Sequence, residues 1–329
     1  MVENLYTHFP FCRSRCSYCT LYSRTGSSSV DREGYVCKLV NDFSVLKPQL
    51  ASLKTVYFGG GSPGLCDLEP LFEVLGPSLS DDYEFTVELH PLDVTPDLLK
   101  RLKSGGVNRI SMGVQSLDDS ILFDMNRGYT FMEAERAFYL VKEYFDNAGI
   151  DLIVGYPGET AALLPRHARL SKWGLRHCSV YALQNERGLK NVVDDDTVLD
   201  RIAIISAFLK DLGLERYEIS NYAVPGFECR HNLSVWRGED YVGLGQGAFG
   251  RVGLKRTPSG EELSPVQDLK ERTIFRLRTR EGLVTTKFPE WIPVLDRYVE
   301  MGLLTKDGTV YRLTARGAEV CDSILEDLI

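Results

Sequence analysis

Three closely spaced cysteines near the start of the chain constrain its structure more than any other feature. Cys12, Cys16 and Cys19 lie within the eight residues CRSRCSYC, at the spacing C-x3-C-x2-C. Thiolates at this separation can converge on one metal centre. A structural zinc site needs a fourth ligand, and a [4Fe–4S] cluster usually has four cysteines, but Leu21 and Tyr22 follow here. Three ligands leave one iron open to a cofactor or substrate; ordinary reduced thiols are the alternative.

The cysteine motif directly follows a short apolar strand signal at residues 5–9, and this arrangement resembles the radical S-adenosylmethionine (SAM) superfamily. In that superfamily, the amino and carboxylate groups of SAM chelate the fourth iron. The reduced cluster then cleaves SAM to a 5′-deoxyadenosyl radical. The resemblance implies a [4Fe–4S] cluster and SAM as cofactors, with the irons bound by Cys12, Cys16 and Cys19.

Strand and helix signals alternate through the first half of the chain. Short apolar segments predict strands at residues 5–9, 55–58, 84–89, 109–114, 151–154 and 179–183. Amphipathic segments predict helices at residues 32–44, 67–75, 96–103, 118–125, 131–145 and 161–173. Thr95 is expected to cap a helix start and Gly149 to mark a helix end. This alternation predicts an α/β fold with a parallel sheet, and the resemblance implies an incomplete (β/α)6 radical SAM barrel.

Glycine and polar residues follow several predicted strands, where a parallel barrel collects its functional groups. The segment GGGSP at residues 59–63 indicates a tight turn by itself; here it resembles the GGGTP motif that holds the SAM amino group. The segment NRISMGVQS at residues 108–116 also matches the family pattern. The resemblance implies that SAM is held by Tyr6, Gly60, Gly61, Ser62, Glu88, Gln115, Arg127 and Asp151. For each polar residue, packing at the barrel mouth is the alternative.

The resemblance also assigns parts of SAM to these residues. Glu88 is expected on the ribose or amino-acid portion, and Asp151 on the ribose hydroxyls. Arg127 is suited to the carboxylate through its forked donors, with Gln115 as a further hydrogen-bond partner. The backbone of Tyr6 is expected on the adenine side.

A second group of motifs follows the sixth predicted strand. The segments YEISNYA (217–223), CRHNLSVW (229–236) and YVGLG (241–245) are aromatic, glycine-rich and poor in helix signals, which predicts an extension of the sheet. Their order resembles the HemW haem-chaperone branch of the oxygen-independent coproporphyrinogen III oxidase family, where HNxxYW is taken as the haem site. The resemblance implies haem as a ligand, His231 as its candidate axial ligand, and an apo-haem-protein as recipient. Val235 stands where that motif has Tyr.

The end of the chain predicts a separate small unit. An amphipathic helix at residues 293–301 precedes a hairpin at 304–313 with an Asp-Gly turn, and a final helix is predicted at 315–328. Helix plus hairpin indicates a winged-helix-like unit, and the net charge of −8 favours a lid or docking module over DNA binding. The predicted domains are residues 1–185 (partial barrel), 186–255 (extension with the haem-site-like motif) and 262–329 (winged-helix-like).

Composition limits the compartment and the partners. No apolar run reaches the roughly 18 residues of a membrane span, and only eleven residues precede Cys12, so no targeting peptide is expected. A cysteine cluster of this kind indicates a reducing, cytoplasmic location. The cysteines outside the motif are predicted to be small core residues. No nucleic-acid partner is expected, whereas peripheral membrane contact and a homodimer stay open.

The resemblance favours a haem chaperone that binds haem and delivers it to apo-proteins, with no catalytic residue assigned. Two enzymatic alternatives stay open. One is an oxygen-independent coproporphyrinogen III oxidase, which usually carries a fourth cysteine two residues after the third, where this chain has Leu21. The other is a radical SAM enzyme acting on another tetrapyrrole. The cluster and SAM motifs are shared by all three and do not separate them.

Overall fold

The computed structural model describes residues 1–159 and 161–328, and in this part of the chain the largest element is a nine-stranded sheet. Its first six strands are β1 Val2–Phe9, β2 Leu50–Gly60, β3 Leu79–Leu89, β4 Arg109–Gln115, β5 Ala148–Val154 and β6 His177–Ala182. Each pairs with the next in parallel. The first and sixth strands do not pair with each other. The predicted α/β fold with an incomplete barrel is confirmed.

Five helices cover the sheet between its strands: α1 Ser29–Leu46, α2 Glu69–Leu75, α3 Pro96–Ser104, α4 Asp119–Asp124 and α5 Phe131–Tyr144. Thr95 caps α3 as predicted, because its side chain accepts a hydrogen bond from the Leu98 N–H. The outward faces of the strands pack against these helices through residues such as Phe58, Phe85 and Phe138, none of which is exposed. Because the apolar side chains point outwards, polar residues occupy the inward faces of the strands.

Two features of the chain around β5 differ from the prediction. The segment Ala161–Lys172 is a 3₁₀-helix and not an α-helix. Gly149 does not end a helix but lies inside β5, and α5 ends at Tyr144. A Cβ at Gly149 would lie 2.7 Å from the carbonyl oxygen of His177, so close approach of β5 and β6 requires glycine here.

The next part of the chain extends the sheet at both edges. After α6 Asp195–Asp211, strands β7 Glu215–Arg216 and β8 Asn221–Ala223 add antiparallel pairing beyond β6. Strand β9 Val242–Leu244 pairs in parallel with β1, and a hairpin of β10 Gly250–Val252 and β11 Lys255–Thr257 follows. The predicted sheet extension is confirmed. The segment read as poor in helix signals nevertheless contains a short helix, α7 Arg230–Trp236.

The C-terminal unit has its own sheet and core. Its elements are α8 Pro265–Phe275, β12 Leu283–Val284, α9 Ile292–Glu300, β13 Leu304–Asp307, β14 Val310–Leu313, α10 Ala315–Glu319 and α11 Cys321–Glu326. The predicted hairpin is confirmed as the antiparallel pair β13–β14. The predicted single final helix is wrong, because Val320 leaves the helical region at φ −119° and separates α10 from α11. The break lets Ile324 and Leu325 pack into the small core.

Four of the five cysteines outside the motif are buried as predicted: Cys66, Cys178, Cys229 and Cys321. Cys37 is exposed, because α1 buries only the face that carries Val36, Leu39 and Phe43. Among the helices of the described residues, none is long and apolar enough to cross a membrane.

Candidate functional site

The carboxyl ends of the parallel strands open into a cavity of about 830 Å³. Loops and free strand ends meet at this edge of a parallel barrel, which is why binding groups collect there. Ten of the twelve predicted site residues line the cavity: Cys12, Cys16, Cys19, Gly60, Gly61, Ser62, Glu88, Gln115, Arg127 and Asp151. Tyr6 and His231 are not among its lining residues.

The loop that carries the cysteines is anchored at several points. The Cys12 N–H donates to the Arg24 carbonyl oxygen at 2.9 Å. The Asn126 side-chain amide donates to the Arg15 carbonyl at 3.0 Å, and the hydroxyls of Ser17 and Tyr156 lie 2.7 Å apart. The loop is therefore held at its base by Arg24 and on its other side by the segments that follow α4 and β5.

The three thiols are partly buried at the cavity wall. Burial, reinforced by the charges of the other two cysteines, raises the pKa of Cys12 to about 11, and burial also raises the pKa of Cys19. Metal binding must therefore displace their protons. Within the described residues, no three metal-binding side chains are close enough to share a single ion; a four-iron cluster is larger, and its cysteines bind different irons.

Arg127 lies directly beside this loop with its guanidinium fixed. Its Nη1 lies 3.2 Å from the Cys16 sulfur, and its Nη2 donates to the Gly113 carbonyl at 2.8 Å. Its Nε donates to the Tyr129 hydroxyl at 3.0 Å. A buried positive charge next to a cysteine sulfur stabilises negative charge on that sulfur. The guanidinium thus belongs to the surroundings of the cysteines as well as to the cavity.

The glycine loop after β2 runs against the cysteine loop. A Cβ at Gly61 would lie 2.5 Å from the Phe11 carbonyl oxygen and 2.9 Å from the Cys12 sulfur. Gly60 adopts φ 107°, which favours glycine. The Gly61 N–H donates to the Phe9 carbonyl at 2.7 Å. Only glycine fits where the two loops approach each other this closely.

Asp93 connects the two loops, and it was missed in the sequence. Its buried carboxylate accepts a 2.5 Å hydrogen bond from Nε of Arg13, which belongs to the cysteine loop. The same carboxylate accepts a hydrogen bond from the Ser62 hydroxyl. Ser62, predicted to hold SAM, therefore uses its hydroxyl within the protein. The signal in the sequence was an acidic residue shortly after a strand end, in HPLD at residues 90–93.

Two carboxylates on different strands line the cavity. Glu88 on β3 accepts the Tyr57 hydroxyl at 2.7 Å and the Gly60 N–H at 3.1 Å. Asp151 on β5 accepts the Ser111 hydroxyl at 3.1 Å. Burial, followed by the charge of Asp151, raises the pKa of Glu88 to about 7, and burial raises the pKa of Asp151. Both carboxylates would ionise more readily with a cation in the cavity.

Gln115 ends β4 in a strained conformation. Its φ is 68°, in the left-handed region that side chains other than glycine rarely adopt. A Cβ at Gly113 would lie 2.7 Å from the Gln115 amide nitrogen, so the side chain folds over this glycine. Strain of this kind is concentrated at ligand sites. The backbone here presents Gln115 to the cavity.

His231 lies beside Thr55, away from the cavity, and Tyr6 pairs with Tyr57 in the middle of β1. His231 is buried on α7, and its ring Nδ1 lies 2.8 Å from the Thr55 hydroxyl. The backbone N–H of His231 donates to the Glu84 carboxylate at 3.2 Å. Its ring packs near those of Tyr6 and Tyr57. Thr55 precedes the glycine loop by four residues of extended strand, about 13 Å.

His231 is buried and lies outside the cavity lining, and its role as an axial haem ligand stays a prediction. Burial lowers the pKa of its imidazole to about 3 and keeps it neutral, but its side chain is enclosed by Thr55, Tyr57 and Tyr241. Tyr6 likewise contributes its ring to the barrel interior, where its hydroxyl lies 3.0 Å from Nδ1 of His8.

Comparisons with known proteins agree with this geometry. The sequence profile of the radical SAM superfamily matches residues 6–170. In solved structures, the chain is similar to the coproporphyrinogen III oxidase of Escherichia coli, described as a radical SAM enzyme, with a TM-score of 0.84 and 20% identity. The match covers 99% of this chain and 89% of that one. At this identity the likeness shows the fold alone.

Sequence relatives extend over nearly the whole chain. The haem chaperone HemW of Escherichia coli K12 is 30% identical, and the match covers 98% of this chain and 97% of that protein. The haem chaperone HemW of Lactococcus lactis is 28% identical over 99% of this chain and 97% of its own length. The chain therefore belongs to the radical SAM superfamily and, within it, to the HemW family.

Proposed function

We propose that this protein is a haem chaperone that carries a [4Fe–4S] cluster and SAM and delivers haem to an apo-protein. The observation that carries the proposal is the cavity, where three cysteines, a glycine cradle and two acidic residues meet. The similarity to haem chaperones over nearly the whole chain supports it. The roles that follow extend the same proposal to individual residues.

The groups at the cavity fit the proposed cofactors. Cys12, Cys16 and Cys19 would bind three irons, and Arg127 would balance their charge. The bare backbone at Gly61 leaves room beside the Cys12 sulfur. Glu88 and Asp151 offer carboxylates to a cationic ligand. Together the cofactors would supply an electron-transfer centre whose fourth iron is closed by SAM.

An enzymatic function has less support. The likeness to the coproporphyrinogen III oxidase of Escherichia coli, at 20% identity, supports the fold alone and not that reaction. The position of the fourth cysteine of that branch is occupied by Leu21, which lines the cavity with an apolar side chain.

Haem titration after anaerobic cluster reconstitution tests the proposal. The protein should bind close to one equivalent of haem and return it unchanged after incubation with SAM and reductant. Product analysis by mass spectrometry provides the control. A modified tetrapyrrole formed in step with 5′-deoxyadenosine would instead establish an enzyme, and failure to bind haem would reject the chaperone.

SAM binding should depend on pH through Glu88. Its pKa of about 7 means that the carboxylate is protonated below this pH and then offers no negative charge to the SAM cation. Affinity is therefore present above about pH 7 and lost as the pH falls, with roughly tenfold weaker binding one unit below the pKa. Calorimetry on reconstituted protein measures this. Glu88→Gln should bind weakly at every pH; a constant wild-type affinity across the range would contradict the prediction.

His231 should contribute to stability and not to haem binding. His231→Ala removes the hydrogen bond with Thr55 and leaves space among buried rings, which should lower the free energy of unfolding by about 1–3 kcal/mol. Denaturant unfolding measures the loss, and haem titration below the unfolding transition should give the wild-type spectrum. Loss of the Soret band in folded His231→Ala protein would restore the axial-ligand role.

A further inference from the structure

Besides the cysteines and SAM-motif residues, a second group of residues lines the cavity, and we call the part that they line the second compartment. This compartment lies between the end of β6, helix α6 and the start of α11. Its apolar walls come from Leu183, Ile202, Ile219 and Val320. None of these residues belongs to the cluster or SAM motifs. The volume of about 830 Å³ for the whole cavity lies towards the upper end of the usual range for ligand sites.

Two arginines line this compartment from different parts of the chain. Arg216 lies on β7 and Arg278 follows α8. Burial raises the pKa of Glu218 and that of Cys321, and the charges of Arg278 and Arg216 oppose both shifts, so the two charges lie in one neighbourhood. The compartment therefore combines apolar walls with a paired positive charge.

Neither guanidinium is fully used by the protein. Among the described residues, Arg216 forms no ion pair within 4.0 Å. Its Nε and Nη2 both donate to the Ile219 carbonyl, and its Nη1 forms no hydrogen bond with the described residues. Arg278 pairs with Asp322 at 2.6 Å, but the Asp322 side chain is 80% exposed, so water weakens this pair. The buried Nε of Arg278 has no hydrogen-bond partner within the described structure. The guanidinium of Arg278 lies 4.7 Å from the centre of the Trp236 ring, which fixes its plane.

Glu218 does not neutralise the pair. Its carboxylate is buried and accepts the Ser220 N–H at 3.0 Å and the Asn221 side-chain amide. The Glu218 carboxylate therefore accepts hydrogen bonds from residues of its own turn. The two arginines retain donors for an incoming anion.

We propose that this compartment binds haem through its two propionate carboxylates, with Arg216 and Arg278 as their partners. The proposal rests on the proposed chaperone function and replaces His231 as the anchor. Guanidinium groups suit carboxylates because two parallel N–H donors match two oxygens. The apolar walls from Ile202, Ile219 and Val320 suit the flat face of the macrocycle. The ligand class is thus a flat apolar ring with two carboxylates on one edge.

Haem and its dimethyl ester distinguish this site without any substitution. The ester keeps the ring and the iron but loses both negative charges. Wild-type protein should bind the ester at least tenfold more weakly than haem, since charged hydrogen bonds are lost. Spectroscopic titration in detergent-matched buffer measures both affinities.

Arg216→Gln and Arg278→Gln, singly and together, provide the second arm. Each should weaken haem binding, while the ester should bind the double variant as it binds the wild type. Arg280→Gln is the matched control, because Arg280 pairs with Glu215 and Glu228 outside the cavity. Unchanged cluster content and thermal unfolding confirm that each variant folds.

The outcomes separate the two proposals. If the wild type binds haem and its ester equally well and the arginine variants match Arg280→Gln, the carboxylate site is wrong and the chaperone function stands. If the wild type binds no haem, both are rejected. Selective loss of haem binding, with ester binding retained, supports the site.

Discussion

Replacing Cys12, Cys16 and Cys19 together by Ala should abolish the iron and sulfide that the reconstituted protein takes up. Thiolates are the irons' only strong protein ligands in such a cluster, and these three lie together at one end of the cavity. Iron and sulfide analysis measures the loss. In the wild type, the electron paramagnetic resonance signal of the reduced cluster should change when SAM is added.

Cys37→Ala is the matched control for this experiment. Cys37 is exposed on α1, outside the cavity, and its removal should leave the iron content unchanged. Iron and sulfide retained at the wild-type level by the triple variant would reject the cluster assignment. Loss in Cys37→Ala as well would point to general instability.

Arg127→Ala should have the second largest effect, and on two properties at once. Loss of a charge-assisted hydrogen bond should weaken SAM binding by about 1.5–3 kcal/mol, or roughly 10- to 150-fold. Because Arg127 also lies 3.2 Å from the Cys16 sulfur, the variant should lose iron faster than the wild type. Calorimetry with SAM and the rate of iron release to a chelator measure the two effects.

Asp151→Asn separates these effects. Asp151 contacts Ser111 and not a cysteine, so this variant should lose SAM affinity to a similar degree while its iron is retained. Asp146→Asn, on the surface beside Arg176, should change neither property. Unchanged SAM affinity in both Arg127→Ala and Asp151→Asn would mean that SAM binds elsewhere.

The fold was predictable because each signal was local. A cysteine motif directly after a strand, and GGGSP after the next, are short segments whose positions in a parallel sheet follow from strand order alone. Glu88 and Asp151 were found in the same way, since each ends or lies in a strand of the same sheet. No long-range information was needed to bring them to one cavity.

Other residues depended on contacts that the sequence does not contain. His231 was predicted from its motif, and only the packing of α7 shows that its side chain is buried beside Thr55. Arg216 and Arg278 are separated by more than sixty residues, and nothing local joins them. The break at Val320 similarly arises from packing in the small core.

The shared carboxylate of Asp93 makes the two loops at the cavity mechanically dependent on each other. Arg13 moves with the cysteines and Ser62 with the glycine turn, and both are tied to one buried side chain. Iron insertion, by immobilising the first loop, would therefore shape the second before any nucleoside arrives. We therefore expect iron–sulfur loading to precede SAM binding, and a chain that has lost its irons to bind SAM poorly.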